Sequence, residues 1–265
     1  MLAVITGASS GIGAVFARKL AARGHDLLLT ARREDRLRSL ADELESLYHI
    51  QAEPFPADLT IDADRDRLAE RIRSAPDLSL LVNNAGFGSM GYFYETGIGG
   101  QEKMHRLHIL TVMTLTHAAL ENLTPRAKAG SGVINVSSVA AFGISPGSVT
   151  YCASKTWINA FTQGLAMELG VRNSPVKVQA LCPGFTLSEF HDVMPMDRSR
   201  IPRSLWLTAD CVVEESLRAF DRGQVFVIPN WRYKAVVRFM KMTPESWMRR
   251  VSIAMARRYK RPRGA

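Results

Sequence analysis

At 265 residues, with 46% hydrophobic and 22% charged side chains, the chain can bury a full core and is too apolar for the disordered classes. It has no run of eighteen apolar residues, which excludes a membrane-spanning helix; Cys152, Cys182 and Cys211 are too scattered for a disulfide framework or a structural zinc site, so a reducing, cytoplasmic setting is expected. The net charge of +9 is concentrated in residues 231–265, where eleven Lys or Arg face one acid, Glu245, so the body of the chain needs no polyanionic partner.

The first apolar run, "LAVIT" at 2–6, starts so early that no targeting peptide is expected. A glycine-rich turn, "GASSGIG", leads into a helix with Ile12, Phe16 and Leu20 on one stripe, closed by Gly24. "HDLLLTA" at 25–31 reads as a second strand, and the next helix places Leu37, Leu40, Leu44 and Leu47 on one face. "IQAEPF" at 50–55 is a third strand, followed by the acidic-start helix "DADRDRLAERIRS". "LSLLVNNAG" at 78–86 is the fourth, a helix runs from about Gln101 to Asn122, and "GVINVSS" is the fifth. A long helix reaches to about Gly170, "VKVQALCPG" supplies the sixth strand and "QVFVIP" at 224–229 the seventh. Strand and helix alternate, and the strands are too uniformly apolar for a half-exposed sheet. The pattern predicts an α/β fold: a doubly wound parallel sheet of about seven strands with helices on both faces, in one domain over residues 1–230.

Three features suggest chemistry. Gly7, Gly11 and Gly13 lie where the first strand opens into the first helix, a place where bare backbone can approach a pyrophosphate; a tight turn with close helix–strand contact is the structural alternative. After the second strand, Ala31 stands where a dinucleotide fold often carries an acid for the ribose hydroxyls, and Arg32 and Arg33 follow. Two guanidiniums suit a 2′-phosphate, so NADP(H) is expected in preference to NAD(H); a solvated basic helix start is the structural alternative. Lastly, Tyr151 and Lys155 are one helical turn apart and share a face, an arrangement fit for moving a proton; an ordinary surface Tyr–Lys pair is the structural alternative that the spacing alone leaves open.

Together "TGASSGIG", "NNAG" at 83–86, "NVSS" at 135–138, "YCASK" at 151–155 and "CPGF" at 182–185 resemble the short-chain dehydrogenase/reductases over nearly all of residues 2–230. Through "LLLTARREDRL" and "LCPGFTLSEF" the chain is similar to uncharacterised reductases near the ketoacyl and hydroxysteroid reductases. The resemblance implies a catalytic set of Ser138, Tyr151 and Lys155: Tyr151 as acid or base, Ser138 on the substrate oxygen, Lys155 lowering the phenol's pKa together with the oxidised nicotinamide and holding the nicotinamide ribose. It implies a cofactor pocket from Gly7, Ser9, Ser10, Gly11, Ile12 and Gly13, with Arg32 and Arg33 at the 2′-phosphate. Asp58, Leu59, Asn83, Asn84, Ala85 and Gly86 would serve the adenosine side; Pro183 and Gly184 would shape the nicotinamide end, with Thr186 and Ser188 near the carboxamide. His108 replaces an Asn that in many members distorts a helix so that a backbone carbonyl serves the lysine. Its imidazole would either relay protons or pack beneath the site. No metal is implied.

The resemblance further implies a small-molecule carbonyl or alcohol substrate and a homo-oligomer, dimer or tetramer. Phe87, Met90, Tyr92, Phe93, Ile144 and Pro146 suggest an apolar pocket, with residues 189–207 as its lid; core packing accounts for the same side chains equally well. Residues 231–265 read as a basic, amphipathic helical extension divided at Pro244. Trp247, Met248, Val251, Met255 and Tyr259 oppose Arg249, Arg250, Arg257 and Lys260, which suits an anionic membrane surface; docking on the parent domain or a second subunit is the alternative. No nucleic-acid reader motif is present, so no nucleic-acid partner is expected. A dinucleotide-binding adaptor with little catalysis is the competing reading of the whole chain.

Overall fold

The computed structural model describes residues 1–126, 130–189 and 201–260. β1 (Leu2–Thr6), β2 (Asp26–Ala31), β3 (Ala52–Pro56), β4 (Leu78–Asn83), β5 (Gly132–Val136) and β6 (Lys177–Leu181) alternate with α1 (Gly11–Ala21), α2 (Glu34–Tyr48), α3 (Asp62–Arg73), α4 (Ile98–His105), α5 (Val112–Leu123) and α6 (Val149–Val171). Two short strands, β7 (Thr186–Leu187) and β8 (Leu207–Thr208), pair in parallel outside the main sheet. α7 (Ala209–Asp221), β9 (Phe226–Val227), α8 (Trp231–Met242) and α9 (Glu245–Lys260) complete the chain.

Seven strands form one parallel sheet in the order β3-β2-β1-β4-β5-β6-β9. Alternation along each strand sends successive side chains to opposite faces. Ile5 and Leu29 join Phe16, Leu20, Leu37, Leu44 and Leu217 on one side; Val4, Leu28 and Leu81 join Leu68, Ile72 and Leu115 on the other. The order reverses between β1 and β4, which opens a crevice at their carboxyl ends, where folds of this kind bind ligands.

Three local expectations change. The helix expected over 101–122 begins at Ile98 and is interrupted by a π-helical segment, Arg106–Thr111. Leu47, placed on the buried stripe of α2, is 62% exposed in its last turn, just before left-handed His49 ends the helix. The seventh strand keeps only Phe226 and Val227, because Asn230 turns the chain into α8. Of the expected lid at 189–207, residues 190–200 lie outside the described residues, as do the side chains of Met255, Tyr259 and Lys260 on the tail helix.

Candidate active site

The glycine turn is held by its neighbours across the crevice. Gly7 (φ +68°) and Gly11 (φ +56°) adopt the left-handed backbone that favours glycine. Gly13 is required for space instead: a Cβ there would collide with the Gly7 carbonyl oxygen and the Asn84 side chain. Asn84 Nδ2 donates to the carbonyl oxygens of Thr6 (2.9 Å) and Gly7 (3.2 Å), and Thr6 Oγ1 accepts from the amides of Asn84 and Ala85. The ends of β1 and β4 are thus locked together. Ser10 makes no capping bond at the start of α1, so its hydroxyl does not consume the first-turn amides. Ile12 packs against the core beneath the turn.

Arg33 reaches over this turn. Its Nη2 donates to the hydroxyls of Ser9 and Ser10, both at 3.0 Å. Arg32 is exposed, and its charge acts on Asp58. Burial pushes the Asp58 carboxyl up, but bonds from Thr60 and the charges of Arg32 and Lys103 outweigh it and hold the group below its ordinary value. Leu59 is buried, its carbonyl accepting from Thr111 Oγ1 at 2.7 Å.

Ser138, Tyr151 and Lys155 come together where β5 ends and α6 begins. Ser138 Oγ caps a short 3₁₀ turn, Val139–Phe142, by accepting from the Ala140 amide, and its side chain is hydrogen-bonded to Tyr151. Lys155 Nζ donates to the Val136 carbonyl at 3.0 Å and lies 5.8 Å from the centre of the Tyr151 ring. Ser137 Oγ donates to the Lys155 carbonyl, tying β5 to α6. Burial pushes the Tyr151 phenol up to about 12, with the Ser138 bond opposing it, and brings the Lys155 ammonium down to about 8. Removal from water dominates both groups.

His108 lies in the π segment with its side chain fully buried and its ring 5.9 Å edge-on from that of Tyr151. Nε2 accepts from the Phe87 amide (3.3 Å), so the proton is on Nδ1, which donates to Ser154 Oγ (2.9 Å); Ser154 in turn donates to the Tyr151 carbonyl. Burial, then the charges of Lys155 and His105, hold the imidazole well below its ordinary pKa. The ring thus has both nitrogens engaged by protein groups. Gly86 leaves it room, since a Cβ there would stand 2.8 Å from Nε2.

Two further assignments shift. Asn83 was expected in the pocket, but its Nδ2 donates to Thr116 Oγ1 and Asn135 Oδ1 in a buried network that Asn135 extends to Thr162. Ser188, expected near the carboxamide, lies against the glycine turn: its Cβ is 3.0 Å from where a Cβ on Gly11 would be. Thr186 is buried with Oγ1 on the Gly184 carbonyl, the Pro183 carbonyl accepts from Val139, and Gly184 has no room for a side chain beneath the Tyr233 ring. Sequence reasoning missed Glu189 and Arg36, which meet at Arg33; no local spacing marks a pair 153 residues apart.

With this geometry in place, the comparisons with known proteins are informative. The sequence model of the short chain dehydrogenase family matches residues 1–198. The 3-oxoacyl-acyl-carrier-protein reductase of Aquifex aeolicus is 28% identical over 194 residues, 73% of this chain and 77% of that protein. A short-chain dehydrogenase from Sphingobium yanoikuyae, solved with NADPH, is 31% identical with a TM-score of 0.81, over 92% of this chain and 96% of that one. A short-chain dehydrogenase/reductase from Burkholderia phymatum, solved with NAD, is 25% identical with a TM-score of 0.79, over 89% and 91%. The chain belongs to the short-chain dehydrogenase/reductases, oxidoreductases that use a nicotinamide dinucleotide, near the ketoacyl reductases.

Proposed function

We propose that this protein is an NADP(H)-dependent carbonyl reductase or alcohol dehydrogenase acting on an apolar substrate. The observation that carries the reading is the hydrogen-bonded Ser138–Tyr151 pair, with Lys155 one turn along α6, beside a glycine turn whose bare backbone a side chain would fill. That turn fits a dinucleotide: Gly7, Gly11 and Gly13 allow close approach, α1 favours negative charge at its start, and Ser9, Ser10 and Arg33 supply donors. Asp58 and Leu59 border the adenine side; Asn84, Ala85 and Gly86 hold the floor. Relatives of this fold have been solved with either dinucleotide, so the choice of NADP(H) rests on Arg32 and Arg33.

The bound cofactor supplies or accepts the hydride. Tyr151 delivers a proton to the substrate oxygen in reduction and withdraws it in oxidation, and Ser138 fixes that oxygen. Lys155, anchored by Val136, places a cationic amine beside the phenol and favours its ionised form whenever both must work. Around Tyr151, the loops at 86–97 and 143–148 are joined by the Gly91 amide on the Gly147 carbonyl (2.9 Å), and Met90, Phe93 and Ile144 are exposed there, supporting an apolar substrate. With Tyr151→Phe, turnover of apolar ketones should fall at least about a thousandfold while NADPH still binds. Near wild-type rates would remove the assignment. An adaptor without catalysis is the weaker reading, since nothing in the Ser138–Tyr151–Lys155 arrangement is dismantled.

A second surface has its own chemistry. On α8, Trp231, Ala235, Phe239 and Met242 form an exposed apolar ridge opposite the buried Tyr233 and Val237, and Trp247 of α9 packs edge-on against Phe239 at 6.3 Å. Lys234, Arg238 and Lys241 flank the ridge. A second copy on this face would bring two strongly basic tails together, whereas an anionic lipid surface complements them. We therefore assign the ridge to peripheral membrane contact. Self-association into a dimer or tetramer is assigned to α5 and α6, where Met113 and Met167 are exposed. No described helix is long and apolar enough to cross a membrane.

A further inference from the structure

The segment after Thr186 runs from the nicotinamide end of the crevice, over the glycine turn at Ser188, to the arginines at the other end. There Glu189 Oε2 is 2.8 Å from Arg33 Nη1 and Oε1 is 2.5 Å from Arg36 Nη1. The other arm of Arg33 is already on the hydroxyls of Ser9 and Ser10. A carboxylate and a phosphate ask the same of a guanidinium, a forked pair of charge-assisted bonds. The arginine that suits a 2′-phosphate therefore already holds an anion of the chain's own making. Bonds from Arg36 and then Arg33 pull the Glu189 carboxyl down to about 2, so it stays ionised at every physiological pH.

We propose that Glu189 is an internal competitor for the cofactor's 2′-phosphate, and thereby a residue that sets the discrimination between NADP(H) and NAD(H). A phosphomonoester brings close to two negative charges to the same guanidiniums. It cannot share them with Glu189 without like-charge repulsion, so NADP(H) must displace the carboxylate before Arg33 and Arg36 can close on the phosphate. NAD(H) presents only a hydroxyl there and leaves the bridge intact. Because Glu189 follows directly on Ser188, its release also frees the backbone that covers the glycine turn.

The proposal rests on the reading that Arg33 receives a 2′-phosphate, and the test separates the two. Dissociation constants for NADPH, NADH, 2′,5′-ADP and 5′-AMP are measured by calorimetry on the full chain, wild type against Glu189→Gln, Glu189→Ala and Arg33→Ala. Exposed ion pairs are individually weak, yet two bridges and one repulsive charge are at stake. Both Glu189 variants should bind NADPH and 2′,5′-ADP about tenfold tighter, equivalent to about 1.4 kcal/mol, with NADH and 5′-AMP unchanged within about twofold. No selective gain, or a parallel loss for both dinucleotides, would overturn the competitor role and leave Glu189 a structural bridge. If Arg33→Ala collapses the NADPH preference while the Glu189 variants gain nothing, the cofactor reading survives and this proposal falls. If Arg33→Ala leaves the preference untouched and the Glu189 variants gain nothing, both fall.

Discussion

Lys155 carries a cost that its proposed chemistry explains. Only 5% of it is accessible, and burial lowers its pKa from 10.5 to about 8. A change of that size costs the folded state about 3 kcal/mol, partly offset by the bond to Val136. Lys155→Met should therefore stabilise the cofactor-free protein at pH 7 by about 2 kcal/mol, after allowing for the abandoned carbonyl, while ending catalysis. The sign of the pH dependence follows from a depressed lysine. Below about pH 8 both folded and unfolded chains hold the charged amine and the cost is complete. Between there and 10.5 the unfolded chain binds the extra proton, so wild-type stability rises with pH and the variant's advantage shrinks. Urea unfolding of both proteins at pH 7 and pH 9.5 reads this directly; a gap that is constant or widens would contradict the burial cost.

Among the elements, the π segment is one of the links that tie the proposed catalytic helix to the rest. Its extra residue per turn places His108 under Tyr151, and the bond to Ser154 stitches it to α6. Ser154→Ala leaves the His108 Nδ1–H buried without a partner, which should cost about 1–3 kcal/mol. The melting temperature should fall and kcat drop while NADPH affinity holds; Ser154→Thr, keeping the hydroxyl, should restore both. An unchanged kcat in Ser154→Ala would reduce His108 to core packing. This element also marks where the sequence stops being readable. The strands were legible because both sheet faces are covered, so their residues form unbroken apolar runs. The glycine turn was legible from its position, and Tyr151–Lys155 from one-turn spacing together with the family motifs that accompany it. "HRLHILT" has no composition that separates a π turn from an α turn, since the difference is a hydrogen-bond register imposed by packing. Nor does local pattern reveal that Asn83 turns into the β5–α5–α6 network, or that burial is the largest influence on the phenol.

At the scale of the whole molecule, the basic extension divides into two parts with different duties. α8 is woven into the core: the Tyr233 hydroxyl donates to the Leu205 carbonyl (2.7 Å) and accepts from the Phe185 amide (3.0 Å), its ring covers Gly184, and Val237 is buried. Deleting an aromatic core residue of this kind costs about 3–5 kcal/mol, so a chain ending at residue 230 should be destabilised by at least that much and lose cofactor binding at the Gly184 side. A chain ending at residue 243 keeps α8 and should unfold like the full chain. It removes Trp247, Arg249, Arg250 and Arg257, all exposed, from beside the ridge of Trp231, Phe239 and Met242. Co-sedimentation with vesicles then tests the membrane assignment without confounding it with misfolding. The full chain should pellet with phosphatidylserine-containing vesicles, weakly with pure phosphatidylcholine, and less as salt is raised, because the basic contribution is screened. The 243-residue chain should pellet less on the anionic vesicles. Equal pelleting of both chains, or indifference to lipid charge, would return the ridge to a protein partner.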